Sequence, residues 1–243
     1  MVSTPVSIAV VIADVALAIL LVVGIATVAS AGRRPAVQWI GAGVIAGWFV
    51  LAFVLAKQGL YEQDPATAFP PRIGPAIALP VVLGCALLAL APVRRTLARI
   101  PLQWLVGVQL YRVVGGLFLI AYLQRDMPAE FALPAGIGDV LVGIAAPFVA
   151  RALVREGIER AWPRVLAWCM LGIFDLVVAV TCGFLTAPSA FQQLALDDPN
   201  TAITSYPFVL IPTFAVPASI ILHVYVIGRL LRQPQPAAQP HPA

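Results

Sequence analysis

The sequence predicts an all-α integral membrane protein with seven transmembrane helices, its N-terminus outside and its C-terminus inside. Three observations carry that expectation. Apolar residues fill 61% of 243 positions and charged residues only 11%, where soluble domains carry about a quarter charged residues. Mean hydropathy is +0.95. Long apolar runs recur along the whole chain, each sufficient for the roughly 20 residues a helix needs to cross a bilayer.

The runs lie near 5–29, 38–58, 73–92, 102–123, 132–151, 164–186 and 207–228. Little chain is left over, so residues 1–232 are expected to form one membrane domain. The remaining 233–243 reads Gln-Pro-Gln-Pro-Ala-Ala-Gln-Pro-His-Pro-Ala, a disordered or polyproline-like cytoplasmic tail. Ala29-Ser30-Ala31 has the form of a signal-cleavage site. No basic segment precedes the first run and the run is too long, so a retained helix is expected.

Basic residues set the orientation. Eleven arginines fall in segments that would be cytoplasmic: Arg33 and Arg34; Arg94, Arg95 and Arg99; Arg151, Arg155, Arg160 and Arg164; Arg229 and Arg232. Lys57, Arg72 and Arg125 fall on the other side. Such asymmetry is the positive-inside pattern. It accounts for the pI of 9.3 through loop arginines that can meet anionic lipid, the expected partner, and gives no support to nucleic-acid binding. Trp39, Trp104, Trp162 and Trp168 lie near inner span ends, where indoles settle at the headgroups; Trp48 lies deep and is assigned to packing.

Five ionisable residues fall inside spans: Asp14, Arg112, Asp139, Asp175 and His223. Counted from the outer span ends, Asp14 lies roughly 13 Å deep, Asp139 about 10 Å, and Arg112 and Asp175 about 16 Å. One layer can hold all four. An isolated charge there costs at least ~2.5–3.5 kcal/mol, so each must face the bundle and find a partner. Arg112 shares a helix face with Gln109, Gly115 and Gly116, Asp139 with Gly143, and Asp175 with Gly172 and Ala179. Gly43 and Gly47 suggest a similar close-contact strip on the second helix.

Arg112 is expected within hydrogen-bond reach of Asp139 or Asp175, with Asp139 favoured by the short connection between their helices. Three carboxylates against one guanidinium leave an excess of negative charge, so an aspartate holds a proton or a cation fills the gap. The candidate substrate-binding or proton-coupling residues are thus Asp14, Gln109, Arg112, Asp139, Asp175 and His223; the alternative is a structural charge pair. A lone His223 is read as a helix contact rather than a metal or haem ligand. Pro80 and Pro217, inside spans, free the carbonyls of Ala76 and Thr213. Cys85, Cys169 and Cys182 have no metal-ligand spacing and read as packing residues.

An internal correspondence runs through the chain. Ile12-Ala13-Asp14-Val15 matches Ile137-Gly138-Asp139-Val140, and Pro70, Pro75 and Pro80 match Pro207, Pro212 and Pro217, each ladder preceded by an aromatic residue, Phe69 or Tyr206. Two three-helix units in the same orientation, with the fourth helix as linker, would produce it. That arrangement resembles the three-plus-one-plus-three plan of the SWEET sugar transporters and their Pro-Gln-loop relatives, in which parallel repeats frame a substrate path. The resemblance is one of plan, since no span contains a Pro-Gln pair. Microbial rhodopsins share the helix count, but Lys57 is the single lysine and lies outside the last helix, which excludes a retinal Schiff base.

Enzyme motifs such as His-Glu-x-x-His and Gly-x-Ser-x-Gly are absent, and Asp197-Asp198-Pro199-Asn200 reads as a turn. The expectation is a small transporter or channel-like protein handling a small molecule or ion, without a cofactor. An assembly or sensor subunit is the rival, and an intramembrane enzyme comes third.

Overall fold

The structure is a computed structural model that describes residues 4–30, 35–62 and 69–232, with side chains from 28–30 and 35–37 left aside. Arg33, Arg34 and the tail 233–243 lie outside the described residues. Helices and turns account for the described fold, with no strand among them. Five helices are long and apolar enough to cross a membrane, or six when one bent pair is counted as a span. Large apolar side chains such as Ile12, Ile40, Leu83, Leu141 and Phe174 face outward. In water such a surface would aggregate; in lipid it is the solvated face.

Helix α1 (Thr4–Ser30) packs on α2 (Pro35–Lys57). Gly43 and Gly47 do not form the expected contact strip: nothing lies within 4 Å of where their Cβ atoms would sit. α3 (Ile73–Ala89) stops short of the apolar run and turns by 90° into the short α4 (Ala91–Leu97). Pro92 explains the break, because it has no N–H to donate and its ring meets the carbonyl one turn back. Leu90 is accordingly extended, at φ −76° and ψ 127°.

The fourth apolar run is not one regular helix. α5 (Leu102–Gly107) passes through a 3₁₀ stretch, Val108–Gly115, into α6 (Gly116–Leu123). With three residues per turn, positions three apart stack in a line. Gln109, Arg112 and Gly115 therefore share one edge, and all three are buried.

Runs five and six join as α7 (Ala129–Thr186), 58 residues broken at Gly157, where φ is 76° and ψ 167°. The two halves fold back antiparallel. Trp168 Nε1 donates to the carbonyl of Val142 at 3.0 Å, Gly138 abuts Asp175 and Gly183 abuts Phe131, all pairs centred near residue 157. Glu156 and Arg164 pair beside the turn; the Arg164 guanidinium holds the Glu156 carboxyl below the usual glutamate range. That pair is complete above the ordinary glutamate pKa and is lost as pH falls through the depressed value. Gly157 itself needs the left-handed conformation, not space, since nothing lies within 4 Å of its Cβ position. Gly157→Ala is expected to cost about 1–3 kcal/mol, read as a lowered unfolding midpoint in detergent.

The last run begins as a π-helical turn, Ile211–Ala215, and continues as α8 (Val216–Leu230). Pro217 has no N–H for the carbonyl of Thr213, and the wide turn stands immediately before it. The bonds that open the two proline ladders, Phe69-Pro70 and Tyr206-Pro207, are both cis.

Contacts sort the connections to two ends of the bundle. At one end Arg229 Nη1 donates to Ile100 O at 2.7 Å and Trp162 Nε1 to Leu230 O at 3.2 Å. At the other, Lys57 lies 4.0 Å from the Tyr206 ring centre and Phe69 meets Phe191. Trp39 and Trp104 are 63% and 69% exposed, as an interfacial position requires. Trp168 corrects that expectation: it is buried and packs against His223, ring centres 4.8 Å apart and planes tilted by 54°. Trp48 packs 4.7 Å from Phe214.

Candidate functional site

Arg112 is the centre of the buried polar layer, with only 2% of its surface exposed. The 3₁₀ stretch aims it at α7, and glycines let the backbones close up. A Cβ on Gly143 would lie 2.7 Å from the Val113 nitrogen, and one on Gly115 would lie 2.7 Å from Asp139 Oδ2. Small residues here are what close approach demands.

Every nitrogen of the guanidinium is engaged. Nε donates to Asp139 Oδ1 at 2.7 Å, and Nη2 donates to Asp175 Oδ2. Nη1 reaches the Gly172 carbonyl at 3.3 Å and His223 Nε2 at 3.4 Å. Because guanidinium only donates, His223 Nε2 accepts and the ring proton is assigned to Nδ1. His223 is fully buried, and Nδ1 has no partner. Both halves of α7 thus converge on one arginine. The fork geometry suits this role in a way a lysine would not.

Gln109, one 3₁₀ turn below, ties the same stretch to α8. Its Oε1 accepts from Ser219 Oγ at 2.8 Å, and its Nε2 donates to Ser219 O at 3.3 Å. The neighbouring Tyr111 hydroxyl donates to Ala215 O at 2.8 Å and meets Ser219 Oγ. Four of the six sequence candidates, Arg112, Asp139, Asp175 and His223, make one bonded cluster. Gln109 is an adjoining clamp.

Asp14 stands apart. It is 3% exposed, and its Oδ2 has no hydrogen-bond partner. It faces a cavity of about 350 Å³ shared with Tyr111, Arg112, Gly115, Asp139 and Ala215. A buried carboxylate without a partner is costly in a low-dielectric layer. Among the described residues, Asp14 Oδ2 is the one carboxylate oxygen of the set left buried without a partner.

A second, open cavity, about 800 Å³ with the space open to solvent included, also has Asp139 in its lining. Loop residues Tyr61, Pro71, Pro188 and Thr204 line it at the arginine-poor end, and Asp139 lies among the residues that line it deepest in the bundle. Its walls are apolar, including Ile77, Phe118, Phe131 and Phe184. Asp139, Leu176, Ile211 and Val216 line both cavities, which are therefore neighbours.

Tyr111 and Ser219 are site residues that sequence reasoning misses, and Trp168 belongs to the site and not to the interface where its place near a span end puts it. Ser219 stands one turn before His223 on the same face of α8, the helical spacing that could have found it. Tyr111 carries no signal beyond being amphipathic.

A family model for a domain of unknown function, DUF8737, matches residues 70–231. The match takes in Arg112, Asp139, Asp175 and His223, and Asp14 precedes it. No curated protein and no solved structure matches the chain.

Proposed function

We propose, for a chain that belongs to the DUF8737 family, a seven-pass protein of the cell membrane that moves a small molecule or ion through the cavity ending on Asp139. The hairpin at Gly157 divides α7 into two passes. With α1, α2, the bent α3, the 102–123 segment and the π-to-α helix, that division supports seven. The arginine-rich connections then face the cytoplasm, with the N-terminus and the large cavity outside. Asp14 and Asp139, equivalent in the suggested repeat, both face the smaller cavity, which supports the three-plus-one-plus-three plan.

The observation that carries the reading is the pair of neighbouring cavities that share Asp139, Leu176, Ile211 and Val216 in their lining; the three apolar residues are assigned as the partition between them. A path interrupted by a thin apolar barrier next to a titratable layer is what gated passage requires. Asp14 is assigned to proton or cation coupling, and Asp139, Asp175, Arg112 and His223 to the substrate end of the layer. A second reading, an assembly or sensor subunit, draws on the full engagement of Arg112, which also describes a structural cluster.

Thiol accessibility separates the two. After Cys85, Cys169 and Cys182 are replaced by alanine, Ala179→Cys on the large cavity should react with a membrane-impermeant reagent added outside. Ala215→Cys, on the small cavity, should react slowly as the partition opens. Complete protection of Ala215→Cys in the folded protein would favour the static bundle.

A further inference from the structure

We infer that the large cavity takes an apolar organic cation, its positive centre against Asp139 and its body between the aromatic walls; this deepens the transport reading and rests on it. The cavity runs from the loop residues Tyr61, Pro188 and Thr204 to Asp139 between apolar walls, the mostly apolar lining with few polar groups that small-molecule sites have. Among the described residues that line it, Asp139 is the single charged one, and no lysine or arginine joins it. Arg112, the nearest cation, turns its donors to Asp139, Asp175, Gly172 and His223.

The wall chemistry excludes the other common solute classes. A phosphate or carboxylate would find no cationic side chain to meet it. A sugar needs hydrogen-bonding groups around its whole perimeter, and the polar side chains other than Asp139 are Tyr61, Ser189 and Thr204, on or beside the loops at the mouth. A zwitterion would have half its charge satisfied. An apolar cation meets every feature. With both carboxylates ionised, Asp139 and Asp175 exceed Arg112 by one negative charge, which a bound cation would balance. Phe118, Phe131 and Phe184 supply apolar area and ring faces that attract positive charge.

Two probes of nearly the same shape and opposite charge test this: tetraphenylphosphonium and tetraphenylborate. Binding to the full-length protein in lipid nanodiscs is measured against protein-free nanodiscs, so that partition into lipid is subtracted. The expected result is at least tenfold tighter binding of tetraphenylphosphonium, with the preference erased in Asp139→Asn. Asp139→Asn keeps the Asp175 partner of Arg112, and Ile77→Trp, on the wall away from the charge layer, should abolish binding of the cation by filling the cavity. Equal binding of both ions, binding of neither, or cation binding unchanged in both variants would overturn the inference. Because binding needs no turnover, equal affinities remove the ligand class and leave transport to the Ala215→Cys test. Selective cation binding with Ala215→Cys fully protected removes transport and leaves a cation receptor.

Discussion

Arg112→Ala is expected to cost about 3–5 kcal/mol of stability, the usual consequence of removing one partner from a buried ion pair. The substitution would strand two carboxylates, the Gly172 carbonyl and the His223 ring in a buried layer. The loss comes from uncompensated charge and not from missing volume. Removing the charges together should therefore recover most of it: Arg112→Met with Asp139→Asn and Asp175→Asn is expected to be more stable than Arg112→Ala alone. Equilibrium unfolding in mixed micelles measures both. A triple variant no more stable than Arg112→Ala would mean that the arginine acts through its packing.

Gly138→Ala is the second large effect, at a residue with no polar group of its own. A Cβ there would lie 2.5 Å from Asp175 Cγ and closer still to its carboxylate oxygen. The methyl must displace the carboxylate from Arg112 or push apart the two halves of α7. About 3 kcal/mol or more is expected. Gly228→Ala, on α8 with nothing within 4 Å of its Cβ position, serves as the control. It should be neutral or stabilising by up to ~1 kcal/mol through helix propensity. Equal effects at the two glycines would mean that the close approach at Gly138 is relaxed without cost.

Much of the frame was legible because the bilayer imposes it. Apolar runs of bilayer length and arginines gathered between alternate runs follow from solvation alone. So did the grouping of Arg112 with Asp139 and Asp175, since charges at similar depth have few other partners. What escaped was decided by tertiary contact. The three-residue spacing of Gln109, Arg112 and Gly115 puts them on one face in the sequence, but the tightening of Val108–Gly115 into a 3₁₀ stretch is not encoded in apolar periodicity. Trp168 was read as an interfacial indole from its place near a span end, yet the Gly157 hairpin brings Val142 O and His223 to it. Asp14 shares the depth of the layer but not its bonds, because α1 meets the 3₁₀ stretch across a cavity. Gly43 and Gly47 carried the spacing of a contact strip on a face that α1 does not use. The partition assigned to Leu176, Ile211 and Val216 left no trace, since leucine, isoleucine and valine look alike at every membrane position.

The central claim is that Arg112, Asp139 and Asp175 act as one unit at the base of the large cavity. A double-mutant cycle between Arg112→Met and Asp175→Asn, read as unfolding free energy in mixed micelles, tests it most directly. These residues lie on segments that are 63 positions apart in the chain, so any coupling reports the fold. The account predicts a coupling free energy above ~2 kcal/mol, with the double variant more stable than the two single effects would give. Additivity within ~0.5 kcal/mol would contradict it.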